Sequence, residues 1–218
     1  FLFGLDQSQA NRWIQVLSQI LKRTLERGGY LPARASEQLE ERFSKGPPPS
    51  DVIIDGVERP VHRPQEEEEQ KEKYSGKKKE HTVKNLVLVD ENTRQIEYLG
   101  ATAGGRNHDK KLADESNLTL PAGITLLEDK GFQGYEVEGV CNCQPKKKPR
   151  GGELTEDEKQ MNSILSGIRI VVEHVIAGIK RCRIVKDIFR NTIEGFDDLV
   201  MELVCGLHNF RNKLRNSH

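Results

Sequence analysis

The segment Asp51–Asp55, with the sequence DVIID, decides the predicted fold because the periodicity of the chain changes there. Its three central residues are apolar and β-branched, which favours a buried strand that ends at Asp55. The Gly- and Pro-containing break Lys45–Pro49 lies just before it, so we expect a domain boundary at this point.

Upstream of the break, the spacing of the apolar residues predicts two helices. Apolar side chains recur at helical intervals over residues 10–25, and Asp6 or Ser8 can cap the first turn. A second, short helix is predicted over Ser36–Phe43. Residues 1–46 would then form a small helical segment.

Downstream of the break, strand-like runs alternate with helical patterns. We predict strands over Asp51–Ile54, Thr82–Val89, Gln95–Ala101 and Gly123–Leu127, and helices over His108–Glu115, Thr155–Arg181 and Thr192–Arg215. Thr155 lies three residues before Glu158, which is a capping-box pattern. The almost wholly charged residues 65–80 are predicted as a solvated loop or hairpin extension. This order predicts an α/β fold over residues 51–218, with a mixed sheet covered by helices.

Composition excludes several classes of protein. The 218 residues carry 34 Lys+Arg against 34 Asp+Glu and are 35% hydrophobic, which is unlike a disordered chain or a histone-type polycation. No apolar run approaches the roughly 20 residues of a membrane span, so we predict no membrane association. The four cysteines lack C-x-x-C spacing, which favours reduced thiols in an intracellular protein. Because the first residue is Phe1, we expect the true start upstream.

Three acids stand out by position. Asp55 follows the first buried strand, Asp129 follows a later strand, and Glu173 interrupts an apolar run on the long helix, on the side that carries Arg169 and Lys180. Each alone has a structural explanation, because a strand-end Asp often caps a turn and a helical Glu often pairs with Lys. Together they supply the hard oxygen ligands of metal-assisted phosphoryl chemistry, in which two ions some 4 Å apart activate water and stabilise the leaving oxygen.

Five blocks of sequence also follow one another in a specific order. They are Asp55–Pro60, Tyr74–Lys84, Gly104–Asp109, Asp129–Gly134 and Arg169–Ile176. In this order they resemble the DDE transposases of bacterial insertion sequences, in the branch related to Harbinger-type elements. The resemblance covers about Asp51 to Asn209. There are three departures from the family pattern: Gly56 stands where Ala is common, Phe132 stands where Tyr is usual, and the start of the DNA-binding unit is absent.

The resemblance implies an RNase H-like catalytic domain in which Asp55, Asp129 and Glu173 are the catalytic and metal-binding acids. They would hold Mg²⁺ or Mn²⁺, with two ions expected, and their carboxylates should converge on one patch. Family members cut DNA at element ends with water and join the freed 3′-hydroxyl to target DNA. The implied partners are terminal-repeat and target DNA and at least one further copy of the chain, in the bacterial cytoplasm.

The resemblance also assigns DNA contacts. Residues 5–21 look like the last helix of a truncated helix-turn-helix, with Ser8, Gln9, Asn11 and Arg12 as base or phosphate contacts.

Residues 142–190 hold eleven Lys/Arg against six acids, a local excess of five positive charges. Phosphate contacts are predicted at a set of basic residues: Lys77, Lys78, Arg169, Lys180 and Arg181. Asp109 and Glu58 are further acids near the predicted site.

Two alternatives remain open. One is a non-catalytic DNA-binding protein derived from a transposase, and the other is a nuclease that cuts DNA without joining it. The presence of all three acids argues against loss of chemistry, whereas the second alternative shares the same site.

Overall fold

The computed structural model describes Gly4, residues 6–149 and residues 151–216. Leu5, at the start of the predicted DNA-contacting helix, and Arg150, one of the eleven basic residues of the segment 142–190, lie outside the described residues. Within this part of the chain the strands form a seven-stranded mixed sheet with helices on both faces. The predicted α/β class is therefore confirmed.

The strand β1 (Asp51–Pro60) lies at the centre of the sheet. It pairs antiparallel with β3 (Glu80–Asp90) from Val52–Asp90 to Pro60–Thr82, and parallel with β6 (Thr125–Leu127). The main strand order is β2-β3-β1-β6-β7, and β4 and β5 also pair with β3. The bounds of these shorter strands are Tyr74–Ser75 (β2), Ile96–Leu99 (β4), Ala103–Gly104 (β5) and Cys141–Cys143 (β7).

Seven α-helices surround the sheet in the described part of the chain. They are α1 (Gln7–Arg27), α2 (Ser36–Ser44), α3 (Glu67–Lys73), α4 (Asp109–Ser116), α5 (Glu156–Ile179), α6 (Arg183–Lys186) and α7 (Phe196–Asn216). A 3₁₀ turn spans Lys130–Phe132. The predicted capping box of the long helix is present, since Thr155 accepts from the Glu158 amide while the Glu158 side chain accepts from the Thr155 amide. Asp6 and Gln9 form a second capping box at α1.

The two faces of β1 pack into different apolar cores because alternate side chains of a strand point to opposite sides. Ile53 and Val57 pack with buried residues of α5 and α7, including Val172 and Val204. On the other face, Val52 and Ile54 pack with residues such as Leu39, Leu126 and Phe132. The sheet is therefore covered on both sides, as the sequence predicted.

The structure differs from the predictions in three segments. The first strand does not end at Asp55 but continues to Pro60, because β3 pairs with it along its whole length. The charged residues 65–80 contain the short helix α3 and the strand β2. The last helix starts at Phe196 and is preceded by the unpredicted four-residue α6.

The residues before the Pro-rich break pack against the rest of the protein. Leu39 and Phe43 of α2 are buried in one core, and α1 lies against α7, where Lys22 and Glu202 form an ion pair of 2.7 Å. The outer side of α1 leaves an apolar stripe about half exposed, formed by Trp13, Ile14, Val16, Leu17 and Ile20. The assignment of residues 1–46 to DNA binding stays a prediction.

The helix α5 is long and apolar enough to cross a membrane by length and composition, with a mean hydropathy of 1.3 over its best 18-residue window. The core helix of a globular protein meets the same criterion. Leu165, Val172, Val175 and Ile179 of α5 are buried against the sheet and α7. The predicted absence of membrane association stays a prediction.

A buried arginine joins β1 to the helical layer. Arg59 is 1% exposed, and its guanidinium donates to Asn85 Oδ1 at 2.7 Å and to the Asp197 carbonyl at 3.2 Å. The Asn85 amide in turn donates to the Gly100 carbonyl at 3.0 Å. Burying a guanidinium is costly unless its N–H groups are paired, so this network is expected to be essential for stability.

We expect Asn85→Ala to lower the free energy of unfolding by about 3 kcal/mol, since it removes the shortest hydrogen bond of the buried Arg59 guanidinium and the shorter of the two hydrogen bonds to the Gly100 carbonyl. Urea unfolding followed by circular dichroism measures the change. The control Asn92→Ala removes an exposed amide in the β3–β4 turn and should change stability by less than about 0.5 kcal/mol. Equal stabilities of the two variants would contradict this account.

Candidate active site

Asp55 projects from β1 on the face that packs against α5, since it alternates in phase with Ile53 and Val57. It is half-buried, and its Oδ1 accepts a hydrogen bond from the Gly56 amide at 2.7 Å. Burial raises the pKa of Asp55 to about 6, the Gly56 amide opposes this rise, and the charges of Asp129 and Asp109 add to it. Asp55 therefore lies close to two other carboxylates.

Asp129 reaches this place through the parallel pairing of β1 with β6. Ile53 lies opposite Leu127 in that pairing, and the two aspartates each follow two residues later. Asp129 caps the 3₁₀ turn, where its Oδ1 accepts from the Gly131 amide at 2.5 Å. The parallel register of β1 and β6 therefore brings together two residues that lie 74 positions apart in the chain.

Asp109, at the start of α4, is the third carboxylate of the group. A Cβ at Gly56 would lie 2.5 Å from its Oδ1, and a Cβ at Gly131 would lie 3.1 Å from its Oδ2. Lys84 Nζ lies 3.0 Å from Asp109 Oδ1 and donates to the Asn107 carbonyl. Glycine at position 56, where the resembled family commonly has Ala, thus leaves room for the Asp109 carboxylate.

Lys84 was not predicted from the sequence. Lys84 is a buried lysine on β3. The sequence feature that could have indicated its role is a single basic residue within the predicted strand Thr82–Val89. The sequence predicts Asp109 only as an acid near the site. Its position beside Gly56 and Gly131 depends on how α4 packs against the sheet.

Glu173 is exposed on α5 and lies between Arg169 and Lys180 along one side of that helix. Arg169 Nη2 lies 3.5 Å from Asp129 Oδ2, and its charge favours the ionised form of Asp55. The pKa of Lys180 is lowered by burial and by Lys78, while Glu58 and Asp55 oppose this shift. The side of α5 that carries Glu173 therefore faces the aspartates.

The described residues contain no group of three His, Cys, Asp or Glu side chains close enough to hold a metal ion. The convergence of Glu173 with Asp55 and Asp129 stays a prediction. The donor chemistry nevertheless fits a hard divalent cation, because carboxylate oxygens are its preferred ligands. Burial raises the pKa of Asp55 most, repulsion from Asp129 and Asp109 adds to the rise, and a bound cation would relieve that repulsion.

A groove of about 1,100 Å³ extends from Asp109 along the segment that carries α3 and β2. Five Lys and Arg side chains and two acidic side chains line it; the basic residues are Arg63, Lys71, Lys77, Lys84 and Arg106. Tyr74, 42% exposed, also lines it and meets His81 edge-on, with ring centroids 5.7 Å apart. The predicted contact Lys77 lies in this basic groove, which ends at the carboxylate group.

The predicted contacts on α1 have other partners. Ser8 Oγ donates to Asp6 Oδ1 at 2.8 Å, and the Gln9 side chain accepts from the Asp6 amide in the capping box. Asn11 accepts from Gln15, and Arg12 is exposed. DNA contact by these four residues stays a prediction. Arg181 lies apart from the groove, in a cavity between α5 and α7.

The family model for the DDE superfamily endonucleases matches residues 54–209. The chain therefore belongs to this family, and the range includes Asp55, Asp129 and Glu173. No solved structure matches the chain.

Two curated relatives are insertion-sequence proteins. The chain is 35% identical over 164 residues to a probable transposase for insertion sequence element IS702 of Microchaete diplosiphon, covering 75% of this chain and 58% of the relative. It is 26% identical over 186 residues to a putative transposase for insertion sequence element IS112 of Streptomyces albus G, covering 85% of this chain and 62% of the relative. The chain thus spans about three fifths of the length of these relatives, and the resemblance to insertion-sequence transposases is confirmed.

In metal-free protein we expect the Asp55 carboxyl to titrate near pH 6, and Asp129→Asn to lower this pKa because it removes a neighbouring negative charge. NMR of the side-chain carboxyl carbons measures both values. The folded-state pKa lies above the unfolded value of 3.8, so ionisation of Asp55 costs stability as the pH rises from about 4 to about 6.

Asp187→Asn is the matched control, since Asp187 is an exposed acid paired with Arg183 on α6. It should leave the titration of Asp55 unchanged. An Asp55 that titrates near pH 4 in both the wild type and Asp129→Asn would show that the two aspartates are not neighbours.

Proposed function

We propose that this protein is a DNA transposase that hydrolyses phosphodiester bonds at the ends of an insertion sequence and joins the freed 3′-hydroxyl to target DNA. The observation that carries the proposal is the side-by-side placement of Asp55 and Asp129 at the edge between β1 and β6. Membership of the DDE endonuclease family and similarity to two insertion-sequence transposases support it. The mixed sheet with β1 at its centre agrees with an RNase H-like fold.

Asp55, Asp129 and Glu173 would hold Mg²⁺ or Mn²⁺, with two ions expected. When bound, such ions activate water and stabilise the leaving oxygen of the phosphodiester. Asp109 lies beside this group, because its carboxylate comes close to Gly56 and Gly131, whose amides donate to Asp55 and Asp129. Lys84 keeps the Asp109 carboxylate in place through their ion pair.

The cations around the acids would bind the substrate. Arg169 on α5 and Lys180 at the C-terminal end of that helix both lie near Asp55, and Lys78 lies near Lys180. Phosphate groups on either side of the scissile bond would therefore meet positive charge. The groove that contains Lys77 and Tyr74 would hold a DNA strand by contacts to phosphates and by stacking of a base on the exposed ring.

The proposed partners are terminal-repeat DNA, target DNA and at least one further copy of the chain, since two element ends must be held together. The proposed location is the bacterial cytoplasm, where the DNA is. The proposed helix-turn-helix role of residues 1–46 concerns recognition of the element ends rather than the chemistry.

Asp55→Asn should abolish cleavage of terminal-repeat DNA in the presence of Mg²⁺, a fall of at least about 1,000-fold, because it removes a charged metal ligand. DNA affinity in EDTA should change by less than about threefold. Cleavage is measured on labelled oligonucleotides and binding by fluorescence anisotropy. Asp187→Asn is the control and should cleave at the wild-type rate.

The same assay separates the alternatives. Normal cleavage by Asp55→Asn would show that the assigned site is wrong, whereas DNA binding without cleavage by the wild type would favour a non-catalytic DNA-binding protein. Cleavage without joining to a target plasmid would favour a stand-alone nuclease.

The double variant Lys77→Ala/Arg106→Ala should weaken DNA binding at about 100 mM salt by roughly tenfold, because two groove cations are lost. The control Lys186→Ala/Arg190→Ala removes two exposed cations outside the groove and should change the affinity by less than about threefold. Equal losses in both variants would show that the groove makes no specific contribution.

A further inference from the structure

A second basic site lies away from the carboxylates, between α5, α7 and the β3–β4 turn. It is a cavity of about 240 Å³ whose lining includes four arginines: Arg94, Arg181, Arg211 and Arg215. Among the described residues that line it, none is acidic. The chain as a whole has no net charge, so this concentration of one sign is a local property of the fold.

A buried histidine, His208, contacts two of the four arginines. His208 is 5% exposed, its Nδ1 lies 3.3 Å from Arg211 Nη2, and its Nε2 lies 3.1 Å from the Arg94 carbonyl. A guanidinium only donates, so Nδ1 must accept and the proton must be on Nε2, which then donates to the carbonyl. Burial lowers the pKa of His208, the hydrogen bond to the Arg94 carbonyl opposes this shift, and the charges of Arg211 and Arg181 add to it, so the neutral form is favoured.

The site also depends on a close approach of two helices. A Cβ at Gly178 of α5 would lie 2.7 Å from His208 Nδ1 on α7. The Gly178 carbonyl accepts a hydrogen bond from Arg211 at 3.3 Å. Glycine at this position therefore lets α5 and α7 come close enough to bring Arg181 and Arg211 into one cavity.

Among the residues that the structure describes, no carboxylate forms an ion pair with these four arginines. Other arginines of the protein do form such pairs, for example Arg34 with Asp198 and Arg42 with Glu97. Within residues 6–149 and 151–215 no ion pair involves any of the four cavity arginines. The pKa of Arg211 is lowered by burial and by the charges of Arg181 and Arg215. An anion bound among them would relieve this repulsion.

We propose that this cavity, the four-arginine pocket, binds a phosphate group. Guanidinium groups match the geometry of phosphate oxygens, and several of them around one small space give strong charge-assisted hydrogen bonds. The volume is below the roughly 300–1,000 Å³ of typical small-molecule clefts, so it suits a single small group. Two sources share this chemistry, a phosphodiester of the DNA backbone and a free phosphate.

The DNA backbone is the favoured source, and this part rests on the proposed function. Arg169 of α5 lies 3.5 Å from Asp129, while His174, little more than one turn further along the same helix, lines the four-arginine pocket, so α5 adjoins both sites. A duplex anchored by a backbone phosphate in the pocket would pass close to the carboxylates. Such a contact positions DNA without reading its sequence.

The test uses full-length chain carrying Asp55→Asn, in EDTA, so that hydrolysis plays no part in the result. Arg181→Ala/Arg215→Ala removes two exposed arginines of the pocket, and Lys186→Ala/Arg190→Ala is the control with the same loss of charge. Inorganic phosphate is compared with chloride at equal ionic strength by thermal unfolding. Duplex DNA binding is measured by anisotropy from about 50 to 200 mM KCl.

We expect phosphate to raise the melting temperature of the parent and the control variant but not of the pocket variant. We also expect the pocket variant to bind duplex at least about tenfold more weakly, with a salt slope smaller by about one to two units. Loss of the phosphate effect alone would support the pocket with free phosphate as its ligand. No phosphate effect in the parent, or equal losses in the pocket variant and the control, would overturn the proposal even if the Asp55 site cleaves DNA.

Discussion

The pairing of β1 with two different neighbours is the constraint on which the rest of the structure depends. Its antiparallel pairing with β3 runs from Val52 to Pro60, and its parallel pairing with β6 sets Ile53 opposite Leu127. A shift of this register by one residue would move every side chain of β1 to the opposite face. The apolar residues would leave their cores, and Asp55 would no longer lie beside Asp129.

This register also explains why charge can be concentrated on one edge of the sheet. Apolar residues on both faces of β1 anchor the strand, so the edge can hold half-buried carboxylates that repel each other. Lys84 beneath Asp109 and Arg169 beside Asp129 partly offset that repulsion. Repulsion between neighbouring charged side chains is common at sites that bind ions or substrates. A bound ion of opposite charge removes this repulsion, which favours the bound state.

A chain without net charge can therefore present surfaces of strongly different character. The basic groove beside α3 ends at the carboxylates, whereas the four-arginine pocket lies in a different region of the fold. They are connected by α5, which carries Arg169 towards Asp129 and His174 towards the pocket, and Arg181 follows two residues after the end of this helix. Helical geometry separates adjacent residues by about 100°, so neighbouring positions serve different surfaces.

The long helix α5 and the family could both be predicted from the sequence alone. The capping box at Thr155 and the apolar spacing predicted α5, and the ordered blocks from Asp55 to Ile176 identified the family. Both signals are local, because caps and periodicity depend on residues a few positions apart.

The extent of β1 and the contacts between distant side chains depend on tertiary packing and could not be predicted from the sequence. Periodicity could not show that Asp55 lies within a strand, because β3 supplies the hydrogen bonds that continue it to Pro60. Nor could it place Asp109 against Gly56, or bring Arg94 of a turn to Arg211 of α7. These contacts join residues far apart in the chain, and their formation depends on how whole helices and strands pack.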